Sequence, residues 1–224
     1  MPDKGTRNAI FTLSILMEIG IEMQKDLHLC FIDYSKAFDK IRYVELFRML
    51  EKLDIDGKDL RVIKNFYWDQ TAAERIEGEH IDFKPIKRGV RQGFVMSPDL
   101  FNLHREIILR KLEGISGLKI NGENLNYLRE ADDTVLITES GKQLQKFLDT
   151  IVLESERMGL SLNVKKTECM VISKKSSNPK SNLVSKGDQM EQVTKFKYLG
   201  YLITSDGRRT SEISKRIATA IPKN

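Results

Sequence analysis

The spacing of hydrophobic positions changes several times along the chain, and each change marks an element. Ile10, Leu13, Leu16, Met17 and Ile21 recur at helical spacing between Thr6 and Lys25, which predicts an amphipathic helix with Thr6 as its cap. That helix feeds Leu27-His28-Leu29-Cys30-Phe31-Ile32, a run apolar enough for a buried strand. Tyr43 to Leu53 returns to the helical period, Asp56-Gly57 breaks it, and Leu60, Ile63, Phe66 and Tyr67 define a further helix over Lys58 to Trp68. Thr71 to Glu77 and His80 to Ile86 flank Gly78-Glu79 as a hairpin, and Pro85 marks an edge. Ser97-Pro98 then sets a cap and a first-turn proline before Leu100, Phe101, Leu103, Ile107, Ile108 and Leu112, a buried helix reaching about Gly114.

Further on, a polar approach, Asn124 to Arg129, leads through Glu130-Ala131-Asp132-Asp133-Thr134 into the β-type run Val135-Leu136-Ile137. This reads as a β-hairpin with its acids at the turn. Ser140 to Gly159 is amphipathic through Leu144, Phe147, Leu148, Ile151 and Val152, and Cys169 to Ser173 is a strand. Lys174 to Asp188 is polar and rich in turn residues, so a flexible loop is expected there. Phe196 to Leu202 makes a last hairpin arm, and Ser211 to Ala220 starts a helix. Helices and strands sharing one sheet give an α+β layer.

With 224 residues and 40% hydrophobic content, the chain can fill a core and does not read as disordered. Its 37 Lys and Arg against 32 Asp and Glu leave a net charge of +5, which permits a polyanionic partner without demanding one. No apolar run approaches the ~20 residues of a membrane span, and the start lacks a signal-peptide core. The expected setting is intracellular, in nucleus or cytoplasm, with no membrane partner. Cys30 and Cys169 lie in apolar runs without metal-ligand spacing and read as buried small hydrophobes, with no disulfide partner.

Adjacent Asp132 and Asp133 at a strand end repel each other, and a divalent cation relieves the repulsion. An Asp pair is also a common turn device, since Asp bonds its own backbone. A second acid, Asp33, closes the apolar run 27–32, where a rigid strand end can hold a ligand in place. Three carboxylates on two neighbouring strands could hold two metal ions roughly 3.5–4 Å apart, as in-line phosphoryl displacement requires. Lys87-Arg88-Gly89-Val90-Arg91-Gln92-Gly93 joins three cations, two glycines and an amide in a loop that suits phosphates or a base edge, or is simply solvated.

Together these stretches resemble one family. Phe31 to Asp39, Arg88 to Gly93, Ser97 to Leu103, Ala131 to Ile137, Gly159-Leu160 with Asn163 and Lys166-Thr167, and Phe196 to Gly200 resemble, in this order, the reverse transcriptase domain of the non-long-terminal-repeat, LINE-like retrotransposons of animals. The resemblance covers nearly the whole chain, from Gly5 to Ala218. It implies an α+β right-hand polymerase palm, a ferredoxin-like antiparallel sheet with packed helices, plus part of the fingers and the start of the thumb. The implied layout is a partial fingers helix over 1–26 and a palm over 27–173 with a finger insert at about 40–90. A flexible loop follows over 174–190, then a primer-grip hairpin and thumb start over 191–224.

The implied activity is RNA-directed DNA polymerisation, adding dNTPs to the 3′-hydroxyl of a DNA primer on an RNA template with two Mg2+ ions, Mn2+ being an alternative. Carried over by position, Asp33 and Asp132 resemble the metal-binding pair and Asp133 the third carboxylate. Phe38 occupies the place of an aromatic residue that faces the nucleotide sugar, although a ring there can equally pack under the strand. Gln92 and Gly93 resemble the pair beside the nucleotide and template, Lys166 a lysine at the pyrophosphate, and Phe196, Lys197, Tyr198, Leu199 and Gly200 the hairpin that grips the primer.

The chain also departs from the family pattern. Glu130 stands where an aromatic residue, usually Tyr, precedes Ala-Asp-Asp; Phe94 stands where Cys is common and His104 where Tyr is common. Residues two apart in a strand share a face, so Glu130 is expected beside Asp132, as a stray ligand near an anionic primer end. With its ends inside the fingers and at the thumb, the chain reads as a partial copy. The competing expectations are a working polymerase, a catalytically silent palm remnant that binds nucleic acid or protein, and another two-metal phosphoryl enzyme such as a nuclease.

Overall fold

The computed structural model describes residues 5–53, 55–68, 70–76, 79–91, 93–120, 122–130, 133–175 and 179–207. In chain order the elements are α1 (Thr6–Glu22), β1 (Leu27–Ile32), α2 (Ala37–Lys40), α3 (Tyr43–Glu51), α4 (Gly57–Tyr67), β2 (Thr71–Ile76), β3 (Glu79–Pro85) and α5 (Ser97–Arg110). There follow β4 (Leu118–Ile120), β5 (Glu123–Leu125), β6 (Tyr127–Glu130), β7 (Asp133–Thr138), α6 (Gly141–Arg157) and β8 (Glu168–Ile172). The series closes with β9 (Val184–Ser185), β10 (Asp188–Gln189), β11 (Glu191–Gln192), β12 (Lys195–Tyr198) and β13 (Tyr201–Thr204). The chain divides into two compact units. One comprises Met1–Asp33, Leu109–Leu153 and Leu162–Asn224; the other comprises Tyr34–Ile108 and Glu154–Ser161.

The first unit is built on a five-stranded sheet in the order β11-β8-β1-β7-β6. β1 is its centre, and all six of its residues are buried, as a strand covered on both faces must be. It pairs antiparallel with β7 and with β8, while β11 joins β8 in parallel. Side chains alternate across the sheet. Leu27, Leu29 and Phe31 share a face with Val135, Ile137, Met170 and Ile172, packed with Leu13, Leu16 and Met17 of α1 and with Tyr198 and Ile203 of the β12–β13 hairpin. His28, Cys30, Leu136, Cys169 and Val171 line the opposite face, equally buried. Cys30 lies directly across from Cys169, and both thiols are free.

In the second unit Tyr67 packs edge to face against Tyr43 and Phe47, with Tyr43 and Tyr67 ring centroids 5.4 Å apart. Arg105, 1% exposed, lies over the rings of Tyr34 and Phe101 at 5.4 and 5.3 Å. The Tyr34 hydroxyl meets Ser155 Oγ at 3.1 Å, and Ser35 N–H donates to the Ser161 carbonyl, which ties segment 154–161 to this unit.

Several local expectations change. Gly5, not Thr6, is the N-cap of α1, with no side-chain cap bond. The break at Asp56-Gly57 falls between α3 and α4, and it is also a helix start, because the Asp56 carboxylate accepts from Lys58 N–H and so caps α4. The stretch expected to be a flexible loop carries the β9–β10 hairpin, pinned by buried Leu183 and Met190 and by Gln145, whose amide bonds both backbone groups of Val184. The β4–β5 hairpin was not foreseen. The expected helix at 211–220 lies outside the described residues.

Candidate active site

Antiparallel pairing brings opposite ends of sequence-distant strands to one edge of the sheet. The last pair between β1 and β7 is Ile32 with Thr134, so Asp33 and Asp133 follow as the next residues on neighbouring strands. β8 starts at the same edge, with Glu168 opposite Phe31. Asp33 is half-buried and Asp133 exposed. Continuing the alternation from Phe31 and Val135, both acids fall on the face that packs against the β12–β13 hairpin. Burial, and next the neighbouring Glu191, raise the Glu168 carboxyl above its ordinary range.

Among the described residues no group of three or more His, Cys, Asp or Glu stands close enough to hold a metal ion, but Asp132 lies outside them. The donors present are carboxylate oxygens, the type that hard divalent ions such as Mg2+ prefer. Residues present at this edge therefore fit the expected ion. Glu130 pairs directly with Asp133 across the hairpin. The expected approach of Glu130 to Asp132 lies outside the described residues, whereas its like-charged neighbour in the pairing is Asp133.

A tight turn holds Asp33 by its backbone. Asn163 N–H donates to the Asp33 carbonyl at 2.8 Å, and Asp33 N–H donates to Thr167 Oγ1 at 3.2 Å. Lys166 and Thr167 N–H both return to the Asn163 carbonyl, closing the turn with Thr167 buried and Lys166 exposed beside it. Asn163 and Thr167 were visible in the sequence as part of a motif. Their role in positioning Asp33 was not, because no side-chain pattern announces a backbone partner so distant in sequence.

The β12–β13 hairpin turns on Leu199 and Gly200, at φ 50° and 82°, a mirror-image two-residue turn that matches strand twist. A bulky residue at positive φ is strained, and Leu199 is held there by packing on the core. Of the expected primer-grip residues, Phe196 stacks on Phe31 with centroids 3.8 Å apart and Tyr198 is buried, so both anchor the hairpin. Lys197 is exposed.

The remaining expected residues belong to the second unit. Phe38 is half-buried in α2 and stacks on Phe101, centroids 4.4 Å apart, which is the packing alternative for its ring. Gly89 and Val90 are strapped to α2 and the residue that ends it: Val90 N–H donates to the Phe38 carbonyl and Gly89 N–H to that of Ile41, each at 2.7 Å. Gly89 has φ 97°, and a Cβ there would meet the Asp39 backbone at 3.3 Å, so this close approach needs glycine. Gly93 has φ 82° and open space around it. Gln92 lies outside the described residues.

An α+β unit whose mainly antiparallel sheet gathers acids from neighbouring strands at one edge has the fold of a right-hand polymerase palm. Residues 6–203 match the family described as reverse transcriptase (RNA-dependent DNA polymerase), and the chain belongs to that family. It is 28% identical over 83% of its length to the Retrovirus-related Pol polyprotein from type-1 retrotransposable element R2 of Popillia japonica. It is 26% identical over 93% to the type-2 retrotransposable element R2DM polyprotein of Drosophila melanogaster, and 25% over 80% to the RNA-directed DNA polymerase from mobile element jockey of the same fly. The chain spans 28%, 20% and 20% of these relatives. Among solved structures, telomerase from Candida tropicalis in complex with a fragment of telomeric RNA shares the fold at TM-score 0.65, with 17% identity over 90% of this chain and 32% of that one. Apo telomerase of the same yeast, truncated from its C-terminal domain, matches at TM-score 0.61 and 19% identity over 90% of this chain and 39% of that one.

Proposed function

We propose that the chain carries the catalytic edge of an RNA-directed DNA polymerase, extending a DNA primer on an RNA template with dNTPs. The observation that carries this reading is the register that makes Asp33 and Asp133 successive neighbours on β1 and β7. Asp33, Asp132 and Asp133 would hold two Mg2+ ions. When bound, such ions polarise the phosphoryl oxygens and neutralise charge in an in-line displacement. The 3′-hydroxyl oxygen of the primer bonds to the α-phosphorus and loses its proton to solvent, as the bond from that phosphorus to the bridging β-phosphate oxygen breaks and pyrophosphate leaves. Lys166, exposed at the turn that holds Asp33, is assigned to the departing pyrophosphate, where a cation offsets charge or gives a proton. Lys197 on the hairpin is assigned to the primer phosphates, Phe38 to the sugar, and Gln92 with Gly93 to the nucleotide and template. Extension of oligo(dT) on poly(rA) tests this: the chain extends, an Asp33→Asn variant does not, and equal extension by both would refute the assignment.

A second reading, a silent palm, is favoured by Glu130 opposite Asp133. Like charges directly across a pair of strands destabilise each other, and the extra carboxylate competes for a cation. Glu130→Tyr then raises the extension rate at fixed Mg2+; equal rates would remove Glu130 as the cause of silence.

A further inference from the structure

The second unit holds a feature that the polymerase chemistry does not use. Between α3, α4 and the end of β3 lies a groove of about 280 Å3 walled by Tyr43, Val44, Tyr67, Trp68, Pro85 and Ile86, with Lys87 on its rim. Tyr43 and Tyr67 are buried and form its floor, while Trp68 and Val44 stay 57% and 60% exposed. Trp68 leans on Phe47 at 5.9 Å between ring centroids. The groove is rigidly tied: Ile86 N–H donates to the Gln70 carbonyl at 2.7 Å, Tyr43 N–H donates to that of Lys87 at 3.2 Å, and Arg42 bridges Arg88.

On the β3 side of the groove the chain is cationic. The stretch from Phe83 to Arg91 contains Lys84, Lys87, Arg88 and Arg91 and no acid, and all four cations are exposed. Among the described residues none of the four has an acidic partner. An apolar slot with an open indole face takes a flat π system, and a run of unpaired cations takes consecutive phosphates. A polypeptide segment would satisfy the slot and leave the cations unmatched. A free base or nucleoside would do the same.

We propose that this groove is a seat for one unpaired base of single-stranded nucleic acid, stacked on Trp68, with the flanking phosphates on Lys84, Lys87 and Arg88. The seat deepens the polymerase reading by giving the chain a grip on an unpaired strand, and it needs neither metal nor chemistry.

Trp68 is the one tryptophan of the chain, so its emission reports on the groove directly. Titrating the full chain without Mg2+ with short oligo(rA) and, separately, oligo(dA) should quench Trp68 emission to saturation with at least one strand. A backbone of the same length made of abasic sites should leave the emission unchanged. By anisotropy of a labelled oligonucleotide, Trp68→Leu weakens binding about tenfold, the size expected for one stacked base. Lys84→Ala with Lys87→Ala weakens it and flattens its salt dependence. Binding without quenching, equal quenching by the abasic strand, or unchanged affinity of Trp68→Leu would overturn the seat. Quenching by an apolar peptide and by neither oligonucleotide would also overturn it and assign the groove to a protein segment. A chain that quenches on oligonucleotide yet extends no primer upholds the seat while the polymerase reading falls, and extension without quenching does the reverse.

Discussion

Thr167 shows how much a buried hydroxyl can contribute at a distance from chemistry. It is fully buried and accepts from the Asp33 N–H, so the carboxylate at the end of β1 stands on a backbone that cannot drift. Removing the oxygen while keeping the shape, in Thr167→Val, leaves that N–H without its partner at a cost of about 1–3 kcal/mol. The expected outcome is a chain that still folds with a lower urea midpoint and, on the polymerase reading proposed above, slower primer extension. Extension equal to that of the parent would show that Asp33 holds its place without Thr167.

Among the elements, the β6–β7 hairpin that brings the acids to the sheet edge depends on one loop contact. Asn126 Nδ2 donates to the carbonyls of Leu112 at 2.6 Å and Ile115 at 3.1 Å, and the Asn126 carbonyl accepts from Ile137 N–H of β7. The amide lies so close to Gly117 that a Cβ there would stand 1.8 Å from its Oδ1. Gly117→Ala therefore expels Asn126 and strips the Leu112 and Ile115 carbonyls of their donor, and orphaning the buried Leu112 group costs about 1–3 kcal/mol. A fall in the thermal midpoint with loss of protection of β7 amides in hydrogen exchange is the expected result. A variant as stable as the parent would mean that the loop relaxes freely and that Asn126 does not hold the hairpin.

For the molecule as a whole, stability should fall on the acid side because of a buried histidine. His104 is fully buried, neither ring nitrogen makes a hydrogen bond of normal geometry, and burial pushes its pKa down to about 4 against a weaker opposing pull from the Met158 backbone. His28, buried and bonded to Ser181 Oγ at 2.7 Å, is lowered too, again by burial first. A histidine lowered in the folded state binds fewer protons there than in the unfolded chain. Its contribution is complete above about pH 6.5 and is lost as the pH falls through the folded value. For His104 the gap between 6.5 and about 4 corresponds to about 3 kcal/mol. His104→Phe should raise the urea midpoint at pH 5 more than at pH 8, and an equal change at both would exclude the titration as the cause.

Much of this molecule was legible because period and burial follow the same rule. α1, α3, α4, α5 and α6 and the central strands announced themselves through 3.6-residue and apolar patterns. Asp33 stood out as an acid closing a run too apolar to be solvated, and the acids between β6 and β7 stood out at a turn. The strands β4, β5, β9, β10 and β11 span two or three residues each, too few for any period to emerge, and they formed only because neighbours offered backbone partners. Sequence by itself determined which residues are chemically fit for the site and which runs must be buried, since both are properties of side chains and their local spacing. Tertiary structure alone decided that Asp33 meets Asp133, that Glu130 faces Asp133, that Thr167 holds the Asp33 backbone, and that Trp68 and Lys87 line one groove. Register between distant strands is set by the packing of whole faces, and no local stretch of chain encodes it.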